Sequence, residues 1–122
     1  MSSFGKFVPK MHQSRCRIIP FIVDGSAVAE SAGTGGLLEG ASELTVVKNA
    51  TDNNEFTLTL NSPAARDIIC LALPAVSDCE LEIKSVSSSA VVIESFESDG
   101  LTVEADADFH GVLFCFDKAS DD

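Results

Sequence analysis

The sequence predicts an all-β fold: an antiparallel β-sandwich of about six to eight short strands, immunoglobulin-like or jelly-roll-like, with an extended N-terminal arm. Three observations predict it. Apolar and polar residues alternate in Glu55-Phe56-Thr57-Leu58-Thr59-Leu60 and in Cys79-Glu80-Leu81-Glu82-Ile83-Lys84, the period of a strand with one wet face. Turn-forming residues recur about every ten positions, the spacing of short sandwich strands. Beyond Glu43 the apolar residues show no helical period.

Taken in order, residues 1–17 show no periodicity and read as an extended arm. Ile18, Ile19, Phe21, Ile22 and Val23 form an apolar, β-branched segment that ends at the turn dipeptide Asp24-Gly25. Pro20 cannot donate to a ladder, so this segment reads as an edge strand or an extended piece. Residues 25–42 are rich in Ala, Ser and Gly and read as a mobile linker. A first strand around Leu44 to Val47 leads through the polar turn at residues 49–54 into the alternating strand 55–60, a hairpin.

Residues 68–73 are apolar on both parities, which predicts a central or covered strand that Pro74 ends. Strand 79–84 follows, with Leu81 and Ile83 inward. Ser87-Ser88-Ser89 turns into strand 90–96, and Asp99-Gly100 into a short strand at Leu101-Thr102-Val103. The last strand runs from Phe109 to Phe116. The predicted organisation is therefore an arm with an edge segment at 1–23, a linker at 24–42, a sandwich body at 43–117 and an acidic tail at 118–122.

Charge narrows the partners. The chain of 122 residues has eight basic residues against nineteen acidic ones, a formal net charge of −11. Such a surface repels phosphate backbones and anionic lipid, so neither nucleic acid nor membrane is an expected partner. The charge is uneven: Lys6, Lys10, Arg15 and Arg17 fall in the first seventeen residues, which hold no acid. A basic arm could dock on an acidic neighbour; the competing reading is a frayed terminus with solvated charges. Trp and Tyr are absent and Phe numbers eight, which disfavours a sugar- or base-stacking platform. No secretory leader or membrane-spanning apolar run is evident. Cys16, Cys70, Cys79 and Cys115 form no metal-type pair and are expected as reduced thiols.

No catalytic constellation emerges. His12 and His110 are the only histidines, and neither has a metal ligand or a marked nucleophile at a suitable spacing. Glu104, Asp106 and Asp108, two apart, would share one strand face and could hold a hard cation such as Ca²⁺; a solvated face is the plainer reading. An EF-hand is excluded, because Phe109 occupies the required Gly position and Cys115 the bidentate Glu position. Gly33-Thr34-Gly35-Gly36 lacks the Lys-Ser/Thr of a phosphate loop. Asn49-Ala50-Thr51 fits a glycosylation acceptor, a motif frequent by chance. The expectation is a protein that is not an enzyme and that carries no cofactor or resident metal.

The stretch from Leu44 to Phe116 resembles a β-sandwich module of structural proteins in tailed-bacteriophage virions. The resemblance rests on Phe56-Thr57-Leu58-Thr59-Leu60 after a polar turn, on Pro63, and on Asp67-Ile68-Ile69-Cys70. It continues through the Ser87 to Phe96 segment, Asp99-Gly100, and the closing Asp106-Ala107-Asp108-Phe109 strand. In such modules the aromatic of the first strand is commonly Tyr; here it is Phe56. The resemblance implies a capsid decoration (cement) protein, a homo-oligomer with a trimer favoured. It would bind the major capsid protein or another virion protein on the outer surface of the head, after synthesis in the host cytoplasm. The alternatives are a head- or tail-fibre module for host-surface binding, or a non-viral extracellular β-sandwich binding domain. The expected partner-binding residues lie in the arm and edge segment: Lys6, Lys10, Arg15, Arg17, Ile18, Ile19, Phe21 and Ile22.

Overall fold

Two four-stranded antiparallel sheets face each other in a computed structural model that describes residues 16–117. The strands are β1 (Cys16–Asp24), β2 (Leu37–Glu39), β3 (Leu44–Lys48), β4 (Glu55–Leu60), β5 (Asp67–Pro74), β6 (Cys79–Val86), β7 (Ala90–Glu97) and β8 (Asp108–Phe116). The first sheet has the order β2-β1-β8-β5 and the second β3-β4-β7-β6. The fold is thus the predicted all-β sandwich.

Strand parity builds the core. Ile19, Phe21 and Val23 of β1 and Phe109, Leu113 and Cys115 of β8 point inward from the first sheet. Leu44 and Val46 of β3, Phe56, Leu58 and Leu60 of β4, and Val91 and Ile93 of β7 meet them from the second. Three rings join the layers: Phe109 stands edge-on to Phe21 at 6.3 Å and to Phe56 at 5.2 Å, the geometry the ring quadrupoles favour. Gly111 makes this possible, because a side chain there would run into the Leu71 carbonyl and lie 2.7 Å from the Phe21 ring. The buried polar residues Asn54 and Ser95 satisfy each other. Ser95 N–H donates to the Asn54 carbonyl and the Asn54 side-chain amide to the Ser95 carbonyl, both at 3.0 Å, while the Ser95 hydroxyl donates to the Glu104 carbonyl.

The predicted β3–β4 hairpin is present, with Leu44 opposite Leu60 and Lys48 opposite Phe56. Four expectations are corrected. The segment at 18–23 is no separate edge piece: β1 pairs with β8 along all nine of its residues, so the sandwich begins at Cys16 and not at residue 43. Pro20 is tolerated because β2 reaches β1 only at Ile22 and Val23. The Pro20 carbonyl faces Gly40, 3.0 Å from where a side chain there would begin, which puts its ring nitrogen on the side away from β8.

The expected linker is built into the fold. Asp24 caps a 3₁₀ turn (Gly25–Ala27) by accepting from Ser26 N–H at 3.1 Å. Lys48 N–H then donates to the Ala29 carbonyl, and Val46 N–H to the Gly33 carbonyl. Gly36 and Gly40 supply the positive φ angles, 89° and 98°, that reverse the chain on either side of β2.

The third correction concerns β5, which is an edge strand with its outer face exposed instead of a covered central one. The predicted strand at Leu101 to Val103 is reduced to one bridge, Phe96 with Val103. The Asp99 carboxylate curls the chain there into a turn, accepting from the N–H groups of Leu101 and Thr102 at 2.8 Å.

Candidate functional site: the outer face of the first sheet

Register places the outward residues of β1, β8 and β5 in rows. Ile18 lies opposite Phe114, which lies opposite Ile69; Pro20, Val112 and Leu71 form the next row, and Ile22, His110 and Leu73 the third. Cys16, Phe116 and Asp67 close one end, and Asp24 with Asp108 borders the other. Eight of the nine residues in the three inner rows are apolar, yet this face looks out of the molecule. Ile18 is 63% exposed, Leu71 58% and Leu73 65%. Together with Ile22, Ile69 and Phe116 these side chains expose on the order of 600 Å² of apolar surface, the upper end of what a monomer usually shows.

The outer face of the second sheet makes the contrast. There Thr45 lies opposite Thr59, Val47 opposite Thr57, and Glu55 opposite Glu94, which in turn faces Glu82. Lys84 Nζ closes on Glu55 Oε2 at 2.6 Å, and this hydrogen bond raises the Lys84 pKa. That face mixes Thr hydroxyls and the Glu82 and Glu94 carboxylates with Val47 and Val92, and Glu55 is largely covered, so it is far more polar than the outer face of the first sheet. Both sheets are covered on one side by the common core, so the difference between their outer faces does not come from folding the sandwich.

The expected partner-binding residues divide by parity. Ile18 and Ile22 point outward and belong to the apolar face. Ile19 and Phe21 are 4% and 1% exposed, so they are core residues and cannot meet a partner. Arg17 is taken up within the chain. Its Nε donates to Asp117 Oδ2 at 2.8 Å and its Nη2 to Oδ1 at 3.1 Å, while Nη1 and Nη2 donate to the carbonyls of Ser62 and Pro63. The hydrogen bond to Asp117 raises the guanidinium pKa further. Lys6, Lys10, His12, Arg15 and the tail 118–122 lie outside the described residues.

The carboxylates Glu104, Asp106 and Asp108 do not share a strand face. Glu104 and Asp106 sit in the loop before β8, and only Asp108 is in the strand. Glu104 Oε1 accepts from Asp106 N–H at 3.0 Å, and Asp106 lies 3.7 Å from Lys48 Nζ. Among the described residues no three His, Cys, Asp or Glu side chains are grouped to hold a metal ion. All four cysteines are free. Burial pushes the Cys70 thiol up to about 11 and raises Cys79 and Cys115 in the same direction, which keeps these groups protonated and unreactive near neutrality.

Sequence reasoning missed Ile69, Leu71, Leu73, Val112 and Phe114 as surface residues. Their signal is present in the double-sided apolarity of 68–73, which predicts a cover without saying what supplies it, and in the apolar run 109–116. No family model, no curated protein and no solved structure matches this chain.

Proposed function

We propose that this chain is a structural, non-catalytic component of a larger assembly, and that the assembly is a virus particle in which it serves as a capsid decoration (cement) protein. The observation that carries the assembly reading is the apolar outer face of the first sheet, set against a Thr- and Glu-bearing face on the second. Water penalises about 25 cal/mol for each Å² of apolar surface left exposed. A face of this size and composition therefore gains on the order of 10 kcal/mol, before the costs of association, when something covers it. The resemblance of the Leu44 to Phe116 stretch to virion sandwich modules supplies the kind of assembly, and the acidic charge keeps the protein soluble before assembly.

The test is the composition of purified particles. Virus particles banded on a density gradient from the source culture should contain this chain in fixed proportion to the major shell protein, by quantitative mass spectrometry. Decoration also predicts that particles stripped of the chain lose heat resistance and regain it when the purified protein is added back. Finding the chain only in the soluble fraction, with none in the particles, would refute the reading.

A further inference from the structure

We infer that the outer face of β1, β8 and β5 is a self-association surface on which two copies of this chain pack face to face. The inference rests on the reading of this face as covered in the assembly and names what covers it. The first argument is area. About 600 Å² contributed by each copy gives roughly 1,200 Å² in total, the lower bound for a specific, stable interface.

The second argument is shape. Three strands in unbroken register, with Pro20, Val112 and Leu71 in the middle row, make a continuous pleated surface that can stack on its own copy as sandwich sheets do, about 10 Å apart. A twofold axis lying in the contact plane through Val112 sets β8 of one copy over β8 of the other. One patch then serves both copies, whereas a threefold ring would need two different complementary patches on each. The third argument is charge. The acids bordering this face are Asp24, Asp67 and Asp108 at its strand ends and Glu39 on β2 beside Ile22, and they leave the row of Pro20, Val112 and Leu71 uncharged. Elsewhere the acidic surface repels a second copy, so this face is where two such molecules meet at least electrostatic cost.

The experiment is light scattering of the full chain over a concentration series, alongside Leu71→Glu and Thr59→Glu. Leu71 is exposed on the face in question and Thr59 lies on the outer face of the other sheet, so both variants add one acid without touching the core. The expected result is a concentration-dependent mass reaching twice the 12.8 kDa of the chain. Leu71→Glu should weaken pairing by about 100-fold or more, since a twofold contact buries the new charge twice, while Thr59→Glu changes it less than threefold. Far-UV circular dichroism at dilutions where all three are monomeric should show equal melting, which separates lost pairing from lost folding. A monomer at several hundred micromolar, a trimer, or a dimer indifferent to Leu71→Glu overturns the inference. So does a monomer whose face and residues 1–15 are protected together from hydrogen exchange, since the N-terminal segment would then be the cover. Any of these in a chain still found in particles would remove the pairing and leave the virion reading standing.

Discussion

Replacing Arg17 tests whether this basic residue belongs to the fold or to a partner. Its guanidinium ties three places together: the start of β1, the turn between β4 and β5 at Ser62 and Pro63, and Asp117 just past β8. Asp117 Oδ1 also accepts from Ala65 N–H at 3.2 Å, so the carboxylate holds the same turn from its other side. The ion pair is partly shielded, with side-chain exposures of 29% and 18%. An exposed pair would be worth no more than about 1 kcal/mol, whereas a bidentate, charge-assisted pair with two further carbonyl bonds is worth more. Allowing about 0.5 kcal/mol for each of the four hydrogen bonds, after water recovers part of the loss, Arg17→Ala should cost about 2 kcal/mol. For a domain of this size that lowers Tm by roughly 8–12 °C. Arg17→Lys keeps the charge but not the planar fork, and should cost about 1 kcal/mol. The assay is thermal unfolding by far-UV circular dichroism, since a chain without Trp or Tyr has no useful fluorescence. An Arg17→Ala protein that melts within about 2 °C of the parent would refute the clamp; if it also failed to assemble, the expectation that Arg17 binds a partner would return.

Phe109→Ala should be far more damaging. It removes the ring that joins Phe21 and Phe56 across the two sheets, at about 4 kcal/mol, and a denaturant titration should show the loss as an early midpoint with an unchanged slope. Gly111→Ala should destabilise more than any other single added methyl in β8, because the new carbon meets the Leu71 carbonyl and the Phe21 ring. A melt indistinguishable from the parent would show that the strand can shift. The thiols predict a pH dependence. The folded Cys70 thiol titrates near 11 and the unfolded one near 9.0, so the unfolded chain loses its proton first. The stabilisation is complete below about pH 9 and is lost as pH rises through 11, which denaturant midpoints at pH 7 and pH 10 would reveal. In the native state at pH 8, iodoacetamide should modify the exposed Cys16 well before the buried Cys79 and Cys115, read by mass spectrometry of peptides.

The sandwich was legible because its signal is local. In β4 the order Phe-Thr-Leu-Thr-Leu dictates which side chains enter the core, and the buried set Phe56, Leu58 and Leu60 follows from parity alone. Which strands lie next to each other is not local, and two errors came from that. The segment of Ile18 to Val23 was separated from the body by a glycine-rich stretch, but its partner is β8, nearly a hundred residues away. Glycine content marked a linker because backbone freedom is all that composition reports; it could not show that Gly36 and Gly40 are needed for turns that bring β2 back onto β1. The expected face of Glu104, Asp106 and Asp108 failed for a related reason. A spacing of two means a common face only inside a strand, and the chain enters β8 at Asp108, after the first two acids.

The misreading of β5 says most about function. Apolar residues on both parities mean that both faces of a strand avoid water, and from sequence alone the simplest provider of two covers is the fold itself. The fold provides one. Ile68, Cys70 and Ala72 turn toward the second sheet, while Ile69, Leu71 and Leu73 turn outward with nothing of the described chain above them. The same holds for Ile18 and Ile22 on β1 and, less exposed, for Val112 and Phe114 on β8, so three strands far apart in sequence repeat one pattern in register. A stray exposed leucine needs no explanation, but three adjacent strands agreeing on an apolar outer parity do, because each pays in solubility and gains nothing in a lone monomer. On the proposed assembly, the cover that the double-sided apolarity of β5 predicts is completed from outside the sandwich, over Ile69, Leu71 and Leu73, while β5 stays an edge strand of its sheet.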